Sequence, residues 1–136
     1  MDVFSKAQRS AVMAKVRGKD TTPEKTVRSL LHRLGFRFRL HRRDLPGKPD
    51  IVMPGRRTVV FVHGCFWHQH RNCPSADRPA SHRAYWNKKL DRNVMRDAVN
   101  RGALTRLGWK VIVVWECRIK DTGKLTARLL HLIRSL

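Results

Sequence analysis

The chain predicts a mixed α/β fold in which helices sandwich one mixed sheet, and three patterns carry that expectation. Apolar residues recur at helical spacing in separate stretches, short β-branched runs lie between them, and a polar segment rich in His and Cys interrupts the series. In chain order this gives αβββ, a long loop, then αβα, an order that a small domain satisfies by covering both faces of its sheet.

Thr21-Thr22-Pro23-Glu24 opens the first helix with a hydroxyl cap, a proline in the first turn and a carboxylate near the positive dipole end. Val27, Leu30, Leu31 and Leu34 form its apolar face, and Gly35 stops it. Phe36–His41 alternates apolar and basic residues as a half-buried strand should, and Leu45-Pro46-Gly47 turns the chain. Ile51–Met53 is a short strand, Pro54-Gly55 a tight turn, and Thr58–Val62 a β-branched run suited to a central strand. Residues 63–83 form an irregular segment of a length that is uncommon in a small domain unless it binds something. Ser81–Leu107 reads as a long helix closed by Gly108, with Trp86, Leu90, Val94, Asp97 and Leu104 on one broad side. Lys110–Trp115 is a second apolar strand, and Thr126–Leu136 a final helix through Leu129, Leu130, Leu132 and Ile133.

A length of 136 residues suits one domain with a single core. The division expected is a basic arm over residues 1–20 and a folded domain over 21–136. The arm holds Lys6, Arg9, Lys15, Arg17 and Lys19 and reads equally as a disordered tail or as a segment that orders on a polyanion. Thirty Lys and Arg against ten Asp and Glu give +20, a self-repulsion that calls for a polyanionic partner, most commonly nucleic acid. No apolar run could span a membrane and residues 1–20 lack the apolar centre of a secretory signal, so a cytoplasmic protein without a membrane partner is expected.

The three cysteines, Cys65, Cys73 and Cys117, cannot all pair in disulfides. With His70 they can close a tetrahedral Cys₃His site, which would be a structural Zn²⁺ because no coordination position stays open. The plainer reading is buried thiols, yet Cys65 and Cys73 stand in the most polar stretch of the chain. Asp50, at the mouth of the Ile51–Met53 strand, and the end of its neighbour at Val62-His63 can bring a carboxylate and a backbone carbonyl to one divalent ion, as a nuclease requires. The pattern resembles the PD-(D/E)xK nucleases, with Phe61-Val62-His63 in place of the usual second half. Asp50 as a simple turn cap is the alternative.

Pro46-Gly47-Lys48-Pro49-Asp50, Phe61-Val62-His63-Gly64-Cys65-Phe66-Trp67-His68, Asn93-Val94 with Arg96-Asp97, Leu107-Gly108-Trp109-Lys110-Val111 and Val114-Trp115-Glu116-Cys117 together resemble the very short patch repair endonucleases. The likeness runs in order over roughly residues 5–120. The chain departs at His68-Gln69-His70-Arg71-Asn72-Cys73, where many members carry a continuous histidine run, and spacing favours His70 as the zinc ligand. The resemblance implies a restriction-endonuclease-like sheet and a Mg²⁺-dependent enzyme that nicks 5′ to the thymine of a T:G mismatch. Asp50 and the main-chain carbonyl of Val62 would hold Mg²⁺, and His68 would be the general base. Glu24 and His63 would orient water and the scissile phosphate. Asp97 would hold the tautomer of His68, its alternative being an ion pair with an arginine. Partners implied by kinship are T:G duplex DNA, mismatch-repair proteins and a cytosine methyltransferase, with a monomer sufficing for a nick.

Core packing is the expectation for Trp109 and Trp115. Phe66, Trp67 and Trp86 read as exposed rings in a basic chain that can wedge between bases, and the resemblance implies that they intercalate with Met13 pressing from the arm. A non-catalytic zinc-containing nucleic-acid-binding protein would explain charge, cysteines and aromatics but not Asp50, His63 and His68. A restriction enzyme would cut both strands of paired DNA.

Overall fold

The computed structural model describes residues 20–135, so Met13 and the arm to Lys19 lie outside the described residues. Helix α1 (Thr22–Arg33) is followed by β1 (Arg39–Leu40), β2 (Ile51–Met53) and β3 (Thr58–His63), then α2 (Arg83–Arg106), β4 (Lys110–Trp115) and α3 (Thr122–Arg134). The four strands form one mixed sheet in sequence order, with antiparallel β1–β2 and β2–β3 ladders and a parallel β3–β4 ladder from Thr58↔Lys110 to His63↔Trp115. The long segment and α2 make the crossover that a parallel pair needs.

Alternation along the strands divides the core. Ile51, Met53, Val60, Ile112 and Val114 pack against Val27, Leu30 and Leu31 of α1 and Leu125, Leu129 and Ile133 of α3. Val52 and Val59 face the other way, onto Leu45, Trp109 and Leu104 near the end of α2. A third cluster, Trp67, Trp86 and Leu90, seats the loop on the start of α2.

Four expectations need correction. The stretch Phe36–His41 pairs only at Arg39 and Leu40, because Phe36 turns into the core and His41 adopts a left-handed φ of 52°. Val94 is 42% exposed. From Trp86 it lies about 80° round the helix, whereas Asp97 and Leu104 fall within roughly 20°. Helix α3 starts at Thr122 rather than Thr126, capped by Asp121, whose carboxylate accepts the Lys124 N–H at 3.1 Å. Its buried side is Leu125, Leu129 and Ile133, with Leu130 and Leu132 at the margin. Trp86 is also not an exposed ring: it is 1% exposed, and Trp67 is 9%. Among the described residues no helix is long and apolar enough to cross a membrane.

Candidate active site and metal centre

Strand β3 ends one residue short of Gly64, and the first turns of the loop carry chemistry because local hydrogen bonds fold them back. His68 N–H donates to the Gly64 carbonyl at 3.1 Å and His70 N–H to the Cys65 carbonyl at 3.0 Å. These bonds bring Cys65 and His70 onto one side, where Cys73 and Cys117 join them. One ligand atom from each lies within 4.8 Å of all the others. The His70 Nδ1 is 3.7 Å from Cys65 Sγ and 3.4 Å from Cys117 Sγ. Metal–ligand bonds of about 2.0–2.3 Å give tetrahedral edges of roughly 3.4–3.8 Å, so the group fits a four-coordinate cation. Burial pushes the Cys65 thiol up to about 12, which a bound cation would oppose. His70 also stacks on Trp115, with centroids 4.2 Å apart.

On the other side of the loop lies a cleft of about 170 Å³ lined by Glu24, Asp50, Val62, His63, His68 and Asp97, together with Gly47, Lys48 and Arg101. All five side chains expected to act in chemistry therefore share one wall. The Val62 N–H donates to Asp50 Oδ2 at 2.7 Å. A strand residue's N–H and C=O point to the same side, so the Val62 carbonyl also faces the Asp50 side, beyond the last β2–β3 pair. Burial raises Asp50 to about 6 against the lowering effect of the Val62 N–H, and the nearby Glu24 raises it further. A charged oxygen, a second lone pair from the main chain and a raised carboxylate pKa make this a place that fits a hard divalent cation.

His68 Nδ1 and Asp97 Oδ2 are 2.6 Å apart, and the His68 ring stacks on His63 at 3.8 Å and 3°. His63 is 8% exposed, its Nδ1 has no partner among the described residues, and burial lowers its pKa to about 3. It is thus a neutral ring with a free nitrogen. Among the described residues Asp97 pairs with His68 and not with an arginine. Glu24 is buried beside Arg28, whose Nη2 lies 3.1 Å from Glu24 Oε2 and 2.6 Å from Asp20 Oδ1.

A groove of about 620 Å³ adjoins the cleft, sharing His68, Asp97, Lys48 and Asn100 and adding Arg43, Lys89, Arg96 and Asn93. Residue-type patterns alone did not single out several supports. Gln69 donates to the Phe66 and Ala76 carbonyls at 2.7 and 3.0 Å and accepts from Arg78, which also reaches Asn87 and Asp91 on α2. Asn93 donates to the Trp67 carbonyl at 3.1 Å. Gln69, between His68 and His70, thereby ties the two ends of this part of the loop together. Gly47, at φ 75°, leaves no space for a side chain, since a Cβ would sit 3.0 Å from Asn100 Cβ. Gly47→Ala is expected to lose roughly 1 kcal/mol of stability and to slow turnover, checked by thermal melting and single-turnover rates.

A buried carboxylate and an imidazole–carboxylate pair beside a cation-lined groove are the layout of a phosphodiester-cleaving nuclease. Comparison with known proteins agrees. Residues 1–74 match the family described as DNA mismatch endonuclease Vsr. The chain is 52% identical over 132 residues to the type II nicking enzyme V.XorIIP of Xanthomonas oryzae pv. oryzae, covering 97% of this chain and 96% of that protein. It is 43% identical over 125 residues to the DNA mismatch endonuclease Vsr of Escherichia coli, covering 92% and 80%, and 43% identical over 135 residues to V.NmeAIP of Neisseria meningitidis, covering 99% and 96%. The chain belongs to the Vsr family of DNA mismatch endonucleases.

Proposed function

We propose that this endonuclease nicks duplex DNA 5′ to the thymine of a T:G mismatch, in very short patch repair of deaminated 5-methylcytosine. The convergence of Asp50, His63, His68 and Asp97 on one cleft carries the reading. Asp50 and the Val62 carbonyl would hold Mg²⁺, which when bound supplies Lewis-acid polarisation of the phosphate and a more acidic water. Cys65, His70, Cys73 and Cys117 would hold a structural Zn²⁺. The domain would be a restriction-endonuclease-like unit over residues 21–136, acting as a monomer, with residues 1–20 and Met13 as a DNA-contacting arm. Mismatch-repair proteins and a cytosine methyltransferase are its proposed associates.

The short Asp97 contact keeps the proton on His68 Nδ1, which frees Nε2 to take a proton from the attacking water. As His68 becomes positive, Asp97 stabilises it, and the neutral His63 against its face adds no opposing charge. Glu24 and His63 would orient water and phosphate. Phe66, half-buried, would lead a wedge backed by Trp67 and Trp86, whose rings lie 5.2 and 5.5 Å from it. Among the described residues the buried Trp86 Nε1–H has no acceptor, a penalty of about 1–3 kcal/mol that a hydrogen bond to DNA would offset. Unstacking is least costly at a mismatch, which makes such a wedge selective.

The test is a nicking survey with Mg²⁺ over T:G, other mismatched and fully paired duplexes. One cut 5′ to the thymine is expected, whereas cutting of both strands of paired DNA, or binding without nicking, would sink the reading. Asp97→Asn should lower kcat about 10–100-fold with little change in DNA affinity, read by rate and by gel shift. A fall in affinity with kcat intact would instead make Asp97 a DNA contact.

A further inference from the structure

Among the described residues the outer edge of β4 is open, and its register shows which groups it offers. Lys110 N–H donates to the Arg57 carbonyl at 2.8 Å, so Lys110 faces β3, and alternation turns Ile112 and Val114 the same way. Val111, Val113 and Trp115 therefore direct their N–H and C=O groups outward. Among the described residues no loop, cap or side chain bonds to them, and no strand lies beyond β4. The opposite edge, β1, is only two residues long.

Proteins usually guard a long edge with a bulge, a proline or charged side chains. Over Lys110–Trp115 the β3 register is unbroken, with no proline, and the one charge is turned away: Lys110 Nζ donates to the carbonyls at the end of α3, including Leu132 O at 2.9 Å. Between this edge and α3 runs a groove of about 980 Å³ bordered by Arg118, Lys120, Lys124 and Arg128, against which stands Asp121 alone. A second copy of the chain would bring the same cations to the groove. The chain's own residues 1–20 are basic as well.

We infer that the β4 edge and its basic groove form a docking site for an acidic, extended segment of a protein partner, which adds as a fifth strand. Main-chain bonds would supply affinity, and alternate carboxylates would meet the cations and set specificity. The position has a consequence for catalysis, because Val113 lines the candidate active-site cleft and Trp115 lies against both His70 and His63.

The test uses a fluorescein-labelled octapeptide, Glu-Val-Glu-Ile-Glu-Val-Glu-Ile, with the full-length, metal-loaded protein. Anisotropy should show binding that is about tenfold weaker in the Lys124→Glu, Arg128→Glu double variant. Alternating Lys peptide, or the acidic peptide N-methylated at every second amide, should not bind; the latter leaves the protein unaltered and so separates docking from misfolding. On binding, amide exchange at Val111, Val113 and Trp115 should slow at least about tenfold, while Ile112 and Val114, already in the ladder, stay unchanged. No binding by 1 mM, equal binding of the N-methylated peptide, or protection without this alternation overturns the inference. So does the same alternating protection produced by duplex DNA alone, or by raising protein concentration alone, which would give the edge to DNA or to a second copy.

Discussion

Asp50→Asn is expected to leave a folded protein that binds duplex DNA and nicks it at least about a thousandfold more slowly. Loss of one charged oxygen where Mg²⁺ would bind forfeits several kcal/mol, and about 1.4 kcal/mol is tenfold in rate. The substitution is close to isosteric, and its carbonyl oxygen can still accept the Val62 N–H that Asp50 Oδ2 accepts at 2.7 Å. Stability should move in the opposite direction to activity. Burial raises Asp50 to about 6, so between pH of about 4 and 6 the unfolded chain has lost a proton that the folded chain retains. Stability from this group is therefore greatest below about pH 4 and falls as pH rises through about 6. Above that window Asp50 is a buried charge in search of a cation. The cation-free variant should melt a few degrees above the parent at pH 7.5, with the gain vanishing near pH 4. Added Mg²⁺ should raise the melting temperature of the parent but not of the variant. Parent-like nicking by the variant would remove Asp50 from the chemistry, and a gain that persists at pH 4 would detach its stability effect from ionisation.

What could be read from the chain followed the range of the forces involved. The β2, β3 and β4 runs and the cap of α1 rest on local pattern, and they stand within a residue of the expected bounds. The nearness of Asp50 to Val62 follows from the hairpin register, since Ile51 pairs with Val60 and the next step sets Asp50 opposite Phe61, one residue from Val62. The inward side of Asp97 follows from the helix angle it shares with Trp86 and Leu104, whereas its contact with His68 is what the family resemblance implies and no local pattern gives. Features that depend on three-dimensional packing were not legible. Trp86 and Trp67 stand in a polar, basic stretch, but they bury one another along with Leu90. The early start of α3 was hidden by Gly123, whose low helix propensity is offset by the Asp121 cap. Gln69 looked like a break in a histidine run, and only the fold shows it tying Phe66, Ala76 and Arg78 together. His41 ends the alternating run like a strand residue, but its left-handed turn sends the ring to Arg28, 3.1 Å away.

Loss of the zinc proposed for the Cys₃His group should cost more than any single core truncation. Residues 64–82 have little apolar core of their own beyond Cys65 and Trp67, and apparent zinc binding energies of about 10–16 kcal/mol are available to fold such a segment. The protein as purified should hold one zinc per chain by plasma mass spectrometry. Cys65→Ser or Cys117→Ser should lose that zinc and several kcal/mol of stability in urea melts, with a change in tryptophan emission because Trp115 stacks on His70 and Trp67 packs in the same loop. Catalysis should fail with the fold of the loop, because His68 lies between Cys65 and His70, two of the residues that would hold the ion, and its contact with Asp97 would be lost with the loop. A chelated protein should therefore regain nicking with Zn²⁺ followed by Mg²⁺, and not with Mg²⁺ alone, however much is added. Zinc affinity should also weaken as pH falls, since the thiols release protons on binding. Stability and nicking that survive complete loss of zinc would show that hydrogen bonds such as those of Gln69 and Arg78 hold the loop unaided, and would leave the three thiols without a structural purpose.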